Sequence, residues 1–176
     1  MNIFVKLIKL SEFTFKKVNY YSVIFEEKDY DEENCEFYDF LKRMSQKTEY
    51  DDDLSNLLVW IEEIGNNYGA KEKYFRQEAI DADVSALPPK YCHQKVANIE
   101  VHDLRLYCLV ANEHVVFLFN GDVKTTLKAQ DCPNVGKYIK QANNLVKGIN
   151  KHFNEDIKWN NDQTDIIYNP DFEFEI

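Results

Sequence analysis

The segment His114 to Phe119, His-Val-Val-Phe-Leu-Phe, constrains the fold of this chain more than any other. An ordinary surface strand alternates apolar with polar residues. This run is apolar on both faces, which places it at the centre of a sheet. Val101 to Val110 precedes it across Ala111, Asn112 and Glu113, a hairpin signature. Asn120 and Gly121 follow as a turn signal, and from Asp122 to Lys128 the residues Val123, Thr125 and Leu127 alternate with Lys124, Thr126 and Lys128. A three-stranded meander is therefore expected. A two-residue turn at Asn120-Gly121 would set Leu118 opposite Val123 and aim Lys124 away from the face that carries Arg105, whereas a bulge or a longer loop would reverse that.

Upstream, Val18 to Phe25 alternates with Tyr21, Val23 and Phe25 on one face, as a half-buried strand does. An acidic loop, Glu26 to Glu36, leads into Phe37, Phe40, Leu41 and Met44 at helical spacing. Leu54, Leu57, Leu58, Ile61 and Ile64 repeat the pattern behind Asp51 to Asp53, which read as helix-capping carboxylates, and Gly65 and Gly69 close this helix. Ala82 to Leu87 reads as a strand stopped by Pro88 and Pro89, and residues 88–100 read as a loop. Pro133 opens a helix whose stripe runs through Val135, Tyr138, Ile139, Ala142, Leu145, Val146, Ile149 and Phe153. The close, Phe172 to Ile176, alternates like a late edge strand.

These elements predict an α+β fold: an antiparallel meander sheet packed against an N-terminal helical hairpin, with an additional C-terminal helix and tail. One domain over 1–176 is expected, with an N-terminal extension at 1–17, a core at 18–153 and an acidic C-terminal tail at 154–176. With 44% apolar and 14% aromatic residues among 176, the chain can bury its own core. Lys6 and Lys9 interrupt the apolar start, so no secretory signal is expected there and no membrane role. Cys35, Cys92, Cys108 and Cys132 lack the paired spacing of a zinc site; reduced, mostly buried thiols in the cytoplasm are expected.

The formal charge of −10 argues against binding nucleic acid only if it is evenly spread. It is not: residues 1–83 carry a net −8, 84–153 carry +4, and 154–176 carry −6. The basic middle is where a phosphate-binding face would lie. The acidic tail could then lie against it and weaken phosphate binding until displaced.

The residues Leu104-Arg105-Leu106-Tyr107, Asn120-Gly121 and Val123-Lys124-Thr125-Thr126, within an order of strand, two helices, four strands and a helix, resemble the RelE/ParE toxin superfamily. The nearest likeness is its phage-derived toxin-like branch, in which an Arg-aromatic strand is followed by an apolar strand, a Gly-containing turn and a Lys-Thr strand. It covers Val18 to Phe153 in element order and Val101 to Lys128 in residue detail. The resemblance implies a toxin component neutralised by a cognate antitoxin, acting as a metal-independent endoribonuclease on RNA at the ribosome, or as an inhibitor of gyrase. Neither a cofactor nor a metal is implied.

Cleaving RNA beside a 2′-hydroxyl requires a base, an acid and a cation for the developing phosphorane charge. In that chemistry Arg105 would clamp phosphate and Lys124 would serve as second cation or proton-transfer group, the two catalytic candidates. Arg76 and Lys128 would be outer phosphate contacts, Thr125 and Thr126 would lie on the RNA-binding strand, and Tyr107 would stack on a base. The plainer alternatives are a solvent-facing strand arginine, edge-strand lysines that block aggregation, and strand-favouring threonines. The adjacent Cys92 and His93 have no second pair at useful spacing and read as loop residues. A non-catalytic protein-binding module of the same fold, or an immunity-type protein, stays open beside the nuclease.

Overall fold

The structure is a computed structural model of the whole chain, in which residues 1–78 and 83–176 are described. In chain order the elements are β1 (Phe4–Thr14), β2 (Asn19–Phe25), α1 (Glu36–Ser45), α2 (Asp51–Glu63), β3 (Arg76–Gln77), β4 (Ser85–Leu87) and α3 (Tyr91–Ala97). Then follow β5 (Leu104–Asn112), β6 (Val115–Val123), α4 (Gly136–His152), β7 (Lys158–Trp159), β8 (Ile166–Ile167) and β9 (Glu173–Glu175). The fold is α+β.

Among the described residues the main sheet has seven strands in the order β3-β4-β5-β6-β2-β1-β9, with β6 at its centre. The doubly apolar run therefore lies where its pattern placed it. The sheet is mixed, because β2 lies parallel to β6, with Tyr21 beside Phe117, while the other pairs are antiparallel. Side-chain alternation then divides the core in two. Tyr21, Val23, Leu109 and Phe117 pack with Ala142, Leu145 and Ile149 of α4 on one face. Tyr20, Ile24, Cys108 and Leu118 pack with Phe37, Phe40, Leu57 and Trp60 of the α1–α2 hairpin on the other. A sheet covered on both faces accounts for β2 being buried along both sides, where its alternation predicted a half-buried strand.

Four other expectations are corrected. Residues 1–17 are more than an extension: they contain β1, in which Val5 and Leu7 are buried on one face, Lys6 points to the other, and Lys9, on the face of Val5 and Leu7, pairs with Asp165. Residues 88–100 contain α3, ended by Asn98 in the left-handed conformation. Asp53 does not cap α2; its carboxylate accepts the amides of His102 and Asp103, tying the helical hairpin to the start of β5. Most consequentially, Asn120-Gly121 is no turn. Strand β6 continues through it, with a register shift, to Val123, and the expected third meander strand, 122–128, leaves the sheet after that residue. The expected strand over Ala82 to Leu87 is β4 from Ser85; its Ala82 lies outside the described residues.

The C-terminal segment forms β9 against β1, at the opposite edge of the sheet from β3, and Asp165 engages Lys9 and Tyr21. The tail is thus docked as part of the fold rather than laid over the basic meander. Phe174 is its anchor, buried against α4, where Gly148 leaves the space its ring fills. Phe174→Ala is expected to lower stability by about 2 kcal/mol, less than the roughly 3–5 kcal/mol usual for a buried aromatic, because a three-residue edge strand can relax. Urea unfolding followed by circular dichroism measures it; a loss under about 0.5 kcal/mol would mean the tail contributes no core.

Candidate functional site

Strand alternation sets Arg105 and Tyr107 two residues apart on one face of β5, as the sequence implied. Neither faces solvent. Arg105 is 6% exposed, and its Nη1 donates to the carbonyls of Leu104 at 2.8 Å and His102 at 3.4 Å. Its Nε is buried with no hydrogen-bond partner among the described residues. Burial, and then the nearby Arg76 charge, push its pKa below the ordinary guanidinium value. Tyr107 is fully enclosed, its hydroxyl is also without a partner among the described residues, and burial raises its pKa. A ring so enclosed has no free face for a base.

Arg76, on edge strand β3, donates Nε to the Pro88 carbonyl at 2.8 Å and Nη2 to the Pro89 carbonyl at 3.1 Å. It also lines a cleft of about 690 Å³ together with the apolar Ala70, Phe75 and Val110 and with Glu72, Lys73, Asp83, Ser85, Lys90, His93 and Glu113. Exposed Tyr91 and Val96 lie on α3, the helix that also carries the lining residue His93. His93, read from the sequence as a loop residue, therefore belongs to a helix at the cleft.

The remaining candidates occupy a surface strap after β6. Lys124 donates its amide to the Asp103 carbonyl at 2.7 Å, fastening the strap to the start of β5. Thr126 turns its hydroxyl onto the Lys128 carbonyl at 2.7 Å, and Lys128 itself is exposed. Thr125 turns inward to Cys132: its amide donates to Sγ at 3.3 Å and its hydroxyl lies 3.4 Å away. The structure thus joins Arg76, Arg105 and Tyr107 by charge proximity, and joins Thr125 to Cys132. It does not gather Arg105, Lys124, Thr126 and Lys128 on one open face.

Cys132 is a residue the sequence left as one of four reduced, mostly buried thiols. It is 2% exposed, and its charge is felt at Tyr107. Burial pushes the thiol up, but the hydroxyl and amide of Thr125 and the backbone N–H groups of Val135 and Asn134 outweigh that and bring it down to about 6. Its one local signal was its place just before Pro133 at the start of a helix.

A second polar group spans the α1–sheet boundary. Arg43 donates Nε to Asp39 at 2.9 Å, Nη1 to Asp122 at 2.8 Å, and Nη2 to Asn120 and to the Gly121 carbonyl, while its guanidinium lies over the Tyr138 ring of α4. Lys47 also pairs with Asp122, and the Asn120 amide donates to Glu36 and Asp39. Asp39 is partly buried, which raises its pKa, but Asn120 and Arg43 more than reverse this and hold it below the usual carboxylate value.

No helix of the described residues is long and apolar enough to cross a membrane. No protein-family model matches the chain, and no curated protein or solved structure matches it either.

Proposed function

We propose that this chain is a non-catalytic protein-binding module, the binding form of the RelE/ParE-like reading, working in the cytoplasm with an antitoxin-type polypeptide as its partner. The observation that carries this is the state of Arg105. Phosphodiester cleavage needs a cation free to meet charge as it develops, and this guanidinium is enclosed and bonded to backbone carbonyls. The cleft beside β3 supports the same reading. Glu72, Asp83 and Glu113 line it together with Lys73, Arg76, Lys90 and the apolar Ala70, Phe75 and Val110, a mixture suited to a polypeptide of both signs. A phosphate polymer would meet three carboxylates there. The net charge of −10 favours a protein partner as well.

The test uses purified full-length chain with free RNA, with ribosomes, and with the product of the adjacent gene. Intact RNA together with a stable complex, lost when Ser85→Trp fills the cleft while circular dichroism is unchanged, is the expected result. RNA cleavage that disappears in Lys124→Ala would overturn the proposal in favour of the nuclease.

A further inference from the structure

We propose that this chain forms a two-fold symmetric dimer through the free edge of β3, with Arg76-Gln77-Glu78 of one copy paired antiparallel to the same three residues of a second copy. Strand β3 closes one end of the seven-stranded sheet. Its register sets Arg76 opposite Ala86 and Gln77 opposite Ser85, and the Glu78 amide donates to the Val84 carbonyl at 2.9 Å. Successive residues of an antiparallel strand turn their main-chain groups to opposite sides, so with Glu78 bonded toward β4, Gln77 carries its N–H and C=O outward. Gln77 is also exposed. An outward N–H and C=O on one residue are what two-fold pairing needs, because Gln77 of each copy then donates to and accepts from the other.

Charge selects a second copy as the occupant of this edge. With the axis at Gln77, Arg76 of one copy falls opposite Glu78 of the other, and symmetry repeats the pair. These are non-hydrogen-bonded positions, where facing side chains come closest. Arg76 and Glu78 share a face of β3, two residues apart. Within one copy Arg76 spends Nε and Nη2 on the carbonyls of Pro88 and Pro89, and it forms no ion pair among the described residues, while the Arg105 charge lies near it. A second Glu78 supplies the opposite charge. The far edge of the sheet gives the contrast: two-fold pairing of β9 about Phe174 would set Glu173 against Glu175, like charges that repel. Of the two edges among the described residues, that of β3 is the one complementary to itself.

Three residues a side bury little surface, so the dimer is a weak one that forms with rising concentration. In sedimentation velocity the purified chain is expected to pass from monomer to dimer with a midpoint on the order of 100 µM. Added salt should move that midpoint upward, because the two Arg–Glu pairs are screened.

Three variants locate the contact. Gln77→Pro removes an N–H that β4 does not use, and it should hold the chain monomeric to about 1 mM with an unchanged circular dichroism spectrum. Glu78→Lys sets like charges opposite each other twice, and it should weaken the dimer at least about tenfold. Gln77→Cys places a thiol on the axis, at a Cα separation of about 5.5 Å that a disulfide spans. Made in a Cys92→Ser background, which removes the exposed native thiol, it should oxidise to a covalent dimer at least about tenfold faster than Lys95→Cys, an exposed position on α3. A parent chain that stays monomeric to about 1 mM would overturn the proposal. So would a dimer indifferent to both Gln77→Pro and Glu78→Lys, or a Gln77→Cys protein that cross-links no faster than Lys95→Cys. The chain is tested alone, so none of these outcomes bears on whether the cleft binds a different protein.

Discussion

Gly121→Ala is expected to prevent the chain from folding to its native state. In β6 the pairing steps from Leu118 opposite Cys108 to Gly121 opposite Leu106, so three residues on β6 span what two span on β5. That extra residue is a β-bulge, and it drives the two backbones together at Gly121. A Cβ placed there would fall inside the carbonyl oxygen of Arg105 and close against the Leu106 Cα. Both obstacles are main chain within the central hairpin, so no rotamer change relieves them. A cost above about 4 kcal/mol is expected, comparable to the whole stability of many domains of this size. The measurement is urea unfolding with circular dichroism, and the dispersion of amide proton resonances. The neighbouring Asn120→Ala, which removes side-chain bonds without entering the backbone contact, should cost about 1–3 kcal/mol and stay folded. A Gly121→Ala protein within about 1 kcal/mol of the parent would show that the strands can separate at the bulge.

The same dipeptide explains where the sequence could be read and where it could not. Local periodicities were legible: the doubly apolar strand, the hairpin before it, the alternation of β2 and the stripes of α1, α2 and α4 each depend on residues within one element. Asn-Gly carries a strong local turn preference, yet here Asn120 bonds Glu36 and Asp39, and Arg43 bonds the Gly121 carbonyl. Partners some eighty residues upstream override the turn. β1 escaped notice for the opposite reason, since Lys6 and Lys9 break an apolar run while falling at strand-compatible positions, and the pairing with β2 and β9 that makes them a strand is nonlocal. The site suffered most. That Arg105 shares a face with Tyr107 was readable from spacing, but that both are enclosed depends on nonlocal packing, Tyr107 lying in one buried cluster with Val84, Ala86, Ala129 and Cys132. Nothing near Cys132 in sequence announces that Thr125 turns back to meet it.

Arg43→Ala is expected to destabilise the chain by about 3 kcal/mol or more, through the polar network that fixes the bulge. Arg43 stands on α1 and joins three layers at once: its own helix through Asp39, the sheet through Asp122, Asn120 and Gly121, and α4 through the Tyr138 ring at 4.8 Å. Asn120 and Asp122 are both buried, so truncating the arginine strands an amide oxygen, a carbonyl and part of a carboxylate away from water. Lys47 still reaches Asp122 at 3.0 Å, which keeps the loss from being larger. Arg43→Lys should recover only a minor part of it, because one ammonium cannot serve Asp39, Asp122 and Asn120 from the directions a guanidinium spans. A double-mutant cycle with Asp122→Asn separates the pair from the rest of the network: a coupling of about 1 kcal/mol or more is expected. If Arg43→Ala costs no more than about 1 kcal/mol and the coupling vanishes, the guanidinium is an ordinary surface ion pair. The bulge would then be held by the sheet alone.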